Sequence, residues 1–214
     1  MNTVQPGGGL SYLALGDSYT IGEAVAQGEG FPYQLVAGLN NLPGSTAIPT
    51  QIPVIIAKTG WTTAELQSAI KAASLTTTFD IVTLLIGVNN QYRGNSISTY
   101  RTEFRELLQT AIDFAKGDIT HVFVVSIPDW GSTPFGKNSG RIQEQIAAEI
   151  DAFNVVNKEE TLKAGVSYTD ITPGSRKAET DVALVASDGL HPSGKMYKEW
   201  AAAILPAVVS VFKK

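Results

Sequence analysis

The sequence predicts an α/β protein built as a three-layer α/β/α sandwich around a central parallel sheet of about five strands, and three observations carry that prediction. Short apolar runs alternate with longer segments of helical period along the 214 residues. The runs are continuous rather than alternating, as in strands buried on both faces of a parallel sheet. Irregular stretches at 22–30, 40–50, 90–95 and 128–140 follow on several of them, where an open parallel sheet gathers its ligands.

In chain order, the candidate strands are 12–15 (YLAL), 52–57 (IPVIIA), 80–86 (DIVTLLI), 121–127 (HVFVVSI) and 166–171 (VSYTDI). Between the third and fourth, Ile97, Tyr100, Phe104, Leu107, Leu108, Ala111 and Phe114 recur at three- and four-residue spacing and form one helix face. Ile142, Ile146, Ile150 and Phe153 do the same before the fifth strand. Thr62 and Glu65 make a T-x-x-E capping box, which starts a helix after the second strand. The most apolar stretch, 200–212, is 13 residues long and contains Pro206, so it reads as a buried helix. A membrane-spanning helix needs about 20 apolar residues. Strands separated by helices imply right-handed crossovers and a flavodoxin-like layout. No repeat or linker interrupts residues 11–214, which read as one domain behind a tail at 1–10.

Composition narrows the function. Sixteen basic against 20 acidic residues give a net charge of −4 with no basic run, so a nucleic-acid partner is not expected. The absence of cysteine excludes a thiolate nucleophile, a disulfide scaffold and sulfur-ligated zinc. His121 and His191 are the two imidazoles. The start of the chain has neither a charged n-region nor an apolar h-region, so a soluble, cytoplasmic protein is expected of the sequence as it stands, and a secreted or periplasmic one if a leader preceded it. Oligomeric state has no signal.

Four places could carry chemistry. Gly16-Asp17-Ser18-Tyr19 presents a serine at the end of the first strand, where backbone amides can stabilise negative charge. Taken alone, the same residues could equally cap a helix. Asp188-Gly189-Leu190-His191 sets a carboxylate three residues before an imidazole. The acid can reach Nδ1 and leave Nε2 to take a hydroxyl proton, completing a triad with Ser18. His121, which opens a strand, is the structural histidine of the two. Gly60 stands just outside the capped helix and could offer its N–H to an anion, or merely allow a turn. Asn89, in Gly87-Val88-Asn89-Asn90, could donate a side-chain hydrogen bond to an oxyanion, or simply belong to a turn.

Taken together and in this order, the four blocks resemble the GDSL-type, or SGNH, hydrolase family of esterases and lipases. The resemblance runs from about Leu13 to the last helix. It implies that Ser18 is nucleophile and one oxyanion-hole amide, that Gly60 and Asn89 complete the hole, and that His191 and Asp188 are base and orienting acid. It implies a small-molecule ester substrate, an acyl-enzyme, and neither cofactor nor metal. The third block usually reads G-x-N-D, whereas Asn90 follows Asn89 here. Asp17 is not the triad acid in that family and is expected to hold the turn.

Substrate choice lies in loops. Gln91, Tyr92, Arg93 and Trp130 sit on the strand-end side as possible pocket residues, and without an exposed apolar lid short-acyl or carbohydrate esters are favoured over bulk lipid. Two other enzyme readings are weaker. Residues 131–138 approach a P-loop but end in Asn138 where Ser or Thr must hold magnesium, and contain Pro134. Asp17, Asp170 and Asp188 could serve a magnesium phosphatase, yet no second Asp follows Asp17 two residues on. The elbow G-x-S-x-G is absent, which argues against the α/β-hydrolase fold. A catalytically silent ligand-binding module on the same fold is the non-enzymatic alternative.

Overall fold

The computed structural model describes residues 8–213, so most of the expected N-terminal tail lies outside the described residues. Five strands, β1 (Tyr12–Asp17), β2 (Val54–Lys58), β3 (Ile81–Leu85), β4 (Val122–Val125) and β5 (Ser167–Thr169), form one sheet in the order β2-β1-β3-β4-β5. All four pairings are parallel. The three central strands are buried throughout, which is why they read as unbroken apolar runs. The edge strands β2 and β5 are only half-buried.

The helices are α1 (Ser18–Ile21), α2 (Phe31–Asn40), α3 (Thr63–Ala73), α4 (Val88–Tyr92), α5 (Ile97–Phe114), α6 (Pro134–Lys137), α7 (Gln143–Lys163), α8 (Thr172–Ser175) and α9 (Gly194–Phe212). Right-handed crossovers put α2 and α9 on one face of the sheet, where they pack on each other, and α3, α5 and α7 in sequence on the other. The expected sandwich is therefore the observed one.

Boundaries moved for local reasons. β2 starts at Val54 because Pro53 has no N–H to give the ladder and Ile52 is 76% exposed. β1 runs past its apolar residues, since Gly16 and Asp17 still pair with Ala57 and Lys58. Ile142 does not belong to the buried face expected for it. It is the N-cap of α7 and 55% exposed, and the buried stripe begins at Ile146. The last helix starts at Gly194, capped by Ser193, whose hydroxyl accepts from the Met196 amide, and continues through Pro206. Proline forfeits about 3 kcal/mol in a helix interior. Burial of Trp200, Ile204 and Val208 offsets that loss.

One glycine decides how α1 meets the sheet. A Cβ on Gly16 would lie 2.1 Å from Thr20 Oγ1 and 2.4 Å from the Leu85 carbonyl oxygen. The second of these is backbone in the central strand β3 and cannot step aside. Gly16→Ala should therefore destabilise by about 3 kcal/mol, or roughly 6–12 °C in Tm, the upper end for overpacking. Thermal unfolding followed by far-UV circular dichroism reads this, and an unchanged midpoint would show that the contact is not limiting.

Candidate active site

Ser18 is the first residue of α1, at the carboxyl end of β1. Asp17 caps that turn, its Oδ1 accepting from the Tyr19 amide at 3.0 Å, as its expected turn-holding role requires. The serine hydroxyl is 2.9 Å from His191 Nε2, across 173 residues of sequence. On the other side of the ring, His191 Nδ1 lies 2.6 Å from Asp188 Oδ2. The remaining carboxylate oxygen, Asp188 Oδ1, accepts from the amides of Leu190 and His191, both at 3.0 Å. The acid thus folds the D-x-x-H turn and fixes the imidazole at once. Burial pushes the Asp188 carboxyl up, but hydrogen bonds from His191 and from the two amides outweigh it and hold the group below the ordinary carboxylate range.

The geometry thus joins Ser18, His191 and Asp188 in one hydrogen-bonded chain. His191 is 7% exposed, not a solvated residue at a helix entry. Tyr19 packs its ring 5.4 Å from the imidazole. His121 lies elsewhere: it precedes β4, pairs with Asp118 at 3.7 Å and packs its ring near Phe212.

The amide of Asn89 donates to the Trp61 carbonyl at 3.0 Å and lies 3.5 Å from Asp17 Oδ2. Asn89 therefore sits between the capping acid of α1 and the turn that holds Gly60. Gly60 has φ +85° and is gripped by Arg93, which donates to its carbonyl at 2.5 Å and pairs with Glu65 at 3.2 Å. Asn90 is buried and works elsewhere. Its Oδ1 accepts from the Thr63 amide at 3.0 Å, and its Nδ2 donates to Thr63 Oγ1 at 2.7 Å, which ties α4 to the first turn of α3. Thr63 Oγ1 in turn donates to Glu103. An aspartate at position 90 would set two carboxylates on one hydroxyl proton; the asparagine avoids that conflict.

A cavity of about 200 Å³ opens over Ser18 and His191. Asn89, Tyr92 and Trp130 line it, as do Tyr19, Val88, Phe135 and Leu190, which sequence reasoning passed over. Leu190 could have been suspected from its place inside D-x-x-H; Phe135 gave no signal apart from its irregular loop. Gly60, Gln91 and Arg93 do not line the cavity. Gln91 is buried behind it, accepting from the Trp130 indole N–H at 2.8 Å, while Arg93 is committed to the Gly60 turn.

The P-loop-like stretch folds otherwise: Gly136 packs on the Trp130 carbonyl, and Lys137 donates to the Glu179 carbonyl at 2.9 Å. Asp170 accepts from Ser126 and Thr172, apart from Asp17 and Asp188. Among the described residues no three His, Cys, Asp or Glu side chains converge as a metal site would need.

Complete burial raises the Asp17 carboxyl to about 7, against the opposing pull of the Tyr19 amide and its own backbone. A carboxyl raised on folding supports the native state fully below its ordinary value near 3.8, and that support is lost as pH rises through about 7. Asp17→Asn keeps the acceptor for Tyr19 and cannot ionise. It should flatten the decline in urea midpoint across this window; a decline as steep as that of the unaltered protein would assign it to another group.

The GDSL-like Lipase/Acylhydrolase family matches residues 14–199. No curated protein matches the sequence significantly. Among solved structures, the acetylxylan esterase Axe2 from Geobacillus stearothermophilus superposes with TM-score 0.70 at 19% identity, covering 94% of this chain and 95% of its own. TesA superposes with TM-score 0.70 at 16% identity, over 92% and 97% of the two chains. The psychrotrophic esterase EstA from Pseudoalteromonas sp., inhibited by monoethylphosphonate, gives 0.67 at 14% identity, over 95% and 99%. At such identities the likeness concerns the fold.

Proposed function

The chain belongs to the GDSL-like lipase/acylhydrolase family and is a carboxylic ester hydrolase, and from that premise we propose that Ser18, His191 and Asp188 are its catalytic triad. The observation that carries the assignment is the unbroken chain from Ser18 Oγ to His191 Nε2 at 2.9 Å and from His191 Nδ1 to Asp188 at 2.6 Å. Ser18 Oγ attacks the acyl carbonyl as its proton passes to Nε2. The tetrahedral adduct collapses, the C–O bond to the alcohol breaks, and the imidazolium returns the proton to the departing oxygen. Water then repeats the sequence on the acyl-serine and releases the acid. Asp188, held ionised by its three hydrogen bonds, keeps the ring in the tautomer that leaves Nε2 free to accept.

The oxyanion is proposed to sit among the Ser18 and Gly60 amides and the Asn89 side chain. One Asn89 hydrogen stays on the Trp61 carbonyl and fixes the amide plane. The other, facing Asp17 at a long 3.5 Å, is the one available to the developing charge. The cavity of about 200 Å³ is smaller than the roughly 300–1,000 Å³ of ordinary ligand pockets. That size supports an acetyl or similarly short acyl group, and its aromatic lining suits a carbohydrate or other small alcohol. Axe2, similar in fold, is an acetylxylan esterase. Among the described residues no helix is long and apolar enough to cross a membrane.

Ser18→Ala should retain the fold and lose turnover of p-nitrophenyl acetate, while a fluorophosphonate should label the unaltered protein at Ser18 alone. A label mapped to a different serine would reject Ser18 as nucleophile, whereas no label at all would favour a silent binding module. Asn89→Ala should lower kcat by about 10²–10³ with KM little changed, the signature of a donor engaged mainly in the transition state. An unchanged kcat would remove Asn89 from the mechanism.

A further inference from the structure

Trp130 forms one wall of the cavity, yet it belongs to a short 3-10 turn in the connection after β4 rather than to a long helix or strand. An indole so placed can turn about its side-chain bonds unless both its edge and its face are fixed. Its edge is fixed first. Nε1 donates to Gln91 Oε1 at 2.8 Å. Gln91, itself 2% exposed, uses its other end to donate to Glu149 Oε2 at 2.6 Å. The same oxygen accepts from Arg141 at 2.7 Å. Arg141 then returns to the start, its guanidinium carbon 5.6 Å from the centroid of the Trp130 ring. Four side chains from three segments close a circuit.

The circuit leaves the indole no free partner. Rotation of Trp130 would strand its own N–H and the Gln91 carbonyl together, both buried. Tyr92 adds an edge contact, with centroids 5.3 Å apart and planes at 70°. Burial pushes the Glu149 carboxyl up, but Arg141 and Gln91 outweigh it and hold it below the ordinary range. The acceptor at the centre of the circuit is therefore charged.

We infer that Gln91 and Arg141 are positioning residues that lock Trp130 as a rigid wall of the acyl cavity, and that this lock confines the enzyme to short acyl groups. The inference rests on the proposed triad, since the cavity receives an acyl group only if Ser18 is the atom acylated. A fixed indole keeps the cavity near 200 Å³. A released one can swing aside and admit a longer chain.

The test compares kcat/KM for p-nitrophenyl acetate, butyrate and octanoate in the unaltered enzyme, Gln91→Met, Arg141→Met, Trp130→Leu and the Gln91→Met/Trp130→Leu double variant. Gln91→Met keeps the length of the side chain and removes both hydrogen bonds. The octanoate-to-acetate ratio should rise about tenfold or more in Gln91→Met and in Trp130→Leu, and about threefold in Arg141→Met. Gln91→Met should add nothing once Trp130 is gone, because it acts through that ring. An unchanged ratio in Gln91→Met, or a rise in the double variant equal to the product of the two single ones, overturns the inference. Should Gln91→Met fail to fold, the half-exposed Arg141→Met decides alone, and a ratio unchanged there overturns it equally. Fluorophosphonate titration of Ser18 accompanies every variant. Full labelling with an unchanged ratio rejects the wall and leaves the triad standing, whereas no labelling of the unaltered enzyme rejects the triad itself.

Discussion

The first turn of α1 reaches the carboxyl edge of the sheet only because position 16 carries no side chain. With hydrogen in place of a Cβ, Thr20 and the Leu85 carbonyl close over the strand end, and Ser18 is delivered against the central strands rather than out in solvent. The rest of the edge is arranged around that short distance. Asp17 is swallowed whole and satisfies the turn; Asn89, in the short helix α4 that follows the neighbouring strand β3, comes within reach of it. Parallel neighbours bring their carboxyl ends to one side, so residues 17 and 89 meet although 72 positions separate them.

The second half of the chain meets this edge with a segment of little regular structure, held by backbone bonds. Val185 and Pro192 form an isolated antiparallel bridge, the Ala186 amide donates to the His191 carbonyl at 2.8 Å, and the Ser193 amide to Leu184 at 2.9 Å. Asp188 closes the tip, and Phe135 donates its amide to the Gly189 carbonyl at 2.9 Å. The imidazole is thus carried on a braced miniature hairpin. Beneath it, the connection after β4 is anchored through Asp129, which is buried, caps the Trp130 turn and pairs with Arg176 at 2.9 Å. The same anchored connection supplies both Trp130 and Phe135, so one wall of the cavity and the support of the histidine loop share a foundation.

Strand number, helix faces and the serine, histidine and aspartate could be read in the sequence because each follows a local rule. Unbroken apolar runs mark two-sided burial, and D-x-x-H fits within one turn. What could not be read depends on contacts between distant segments. Gln91 reads as a pocket residue because it follows Asn89 and Asn90, but whether it faces the cavity or the layer behind depends on Trp130 and Glu149, 39 and 58 residues away. Arg93 is drawn to Gly60 by the turn it grips, 33 residues back. Asn90 in place of the family's usual acid has no local rationale; its reason is Glu103, which shares the Thr63 hydroxyl with it. Ile142 misled for the opposite reason: its spacing fits a helix that begins one residue later.

The 173 residues between Ser18 and His191 also order events in time. A ribosome adding about 5–20 residues per second takes roughly 9–35 s to cross that interval. Throughout it the nascent chain holds Ser18 without the imidazole proposed as its base. Because His191 lies three residues before α9, the helix that packs on α2 over one face of the sheet, this imidazole is supplied together with the last element of the fold. On the proposed triad, a half-made chain carries its nucleophile without the group that would deprotonate it, and the two meet only when the last helix closes the fold.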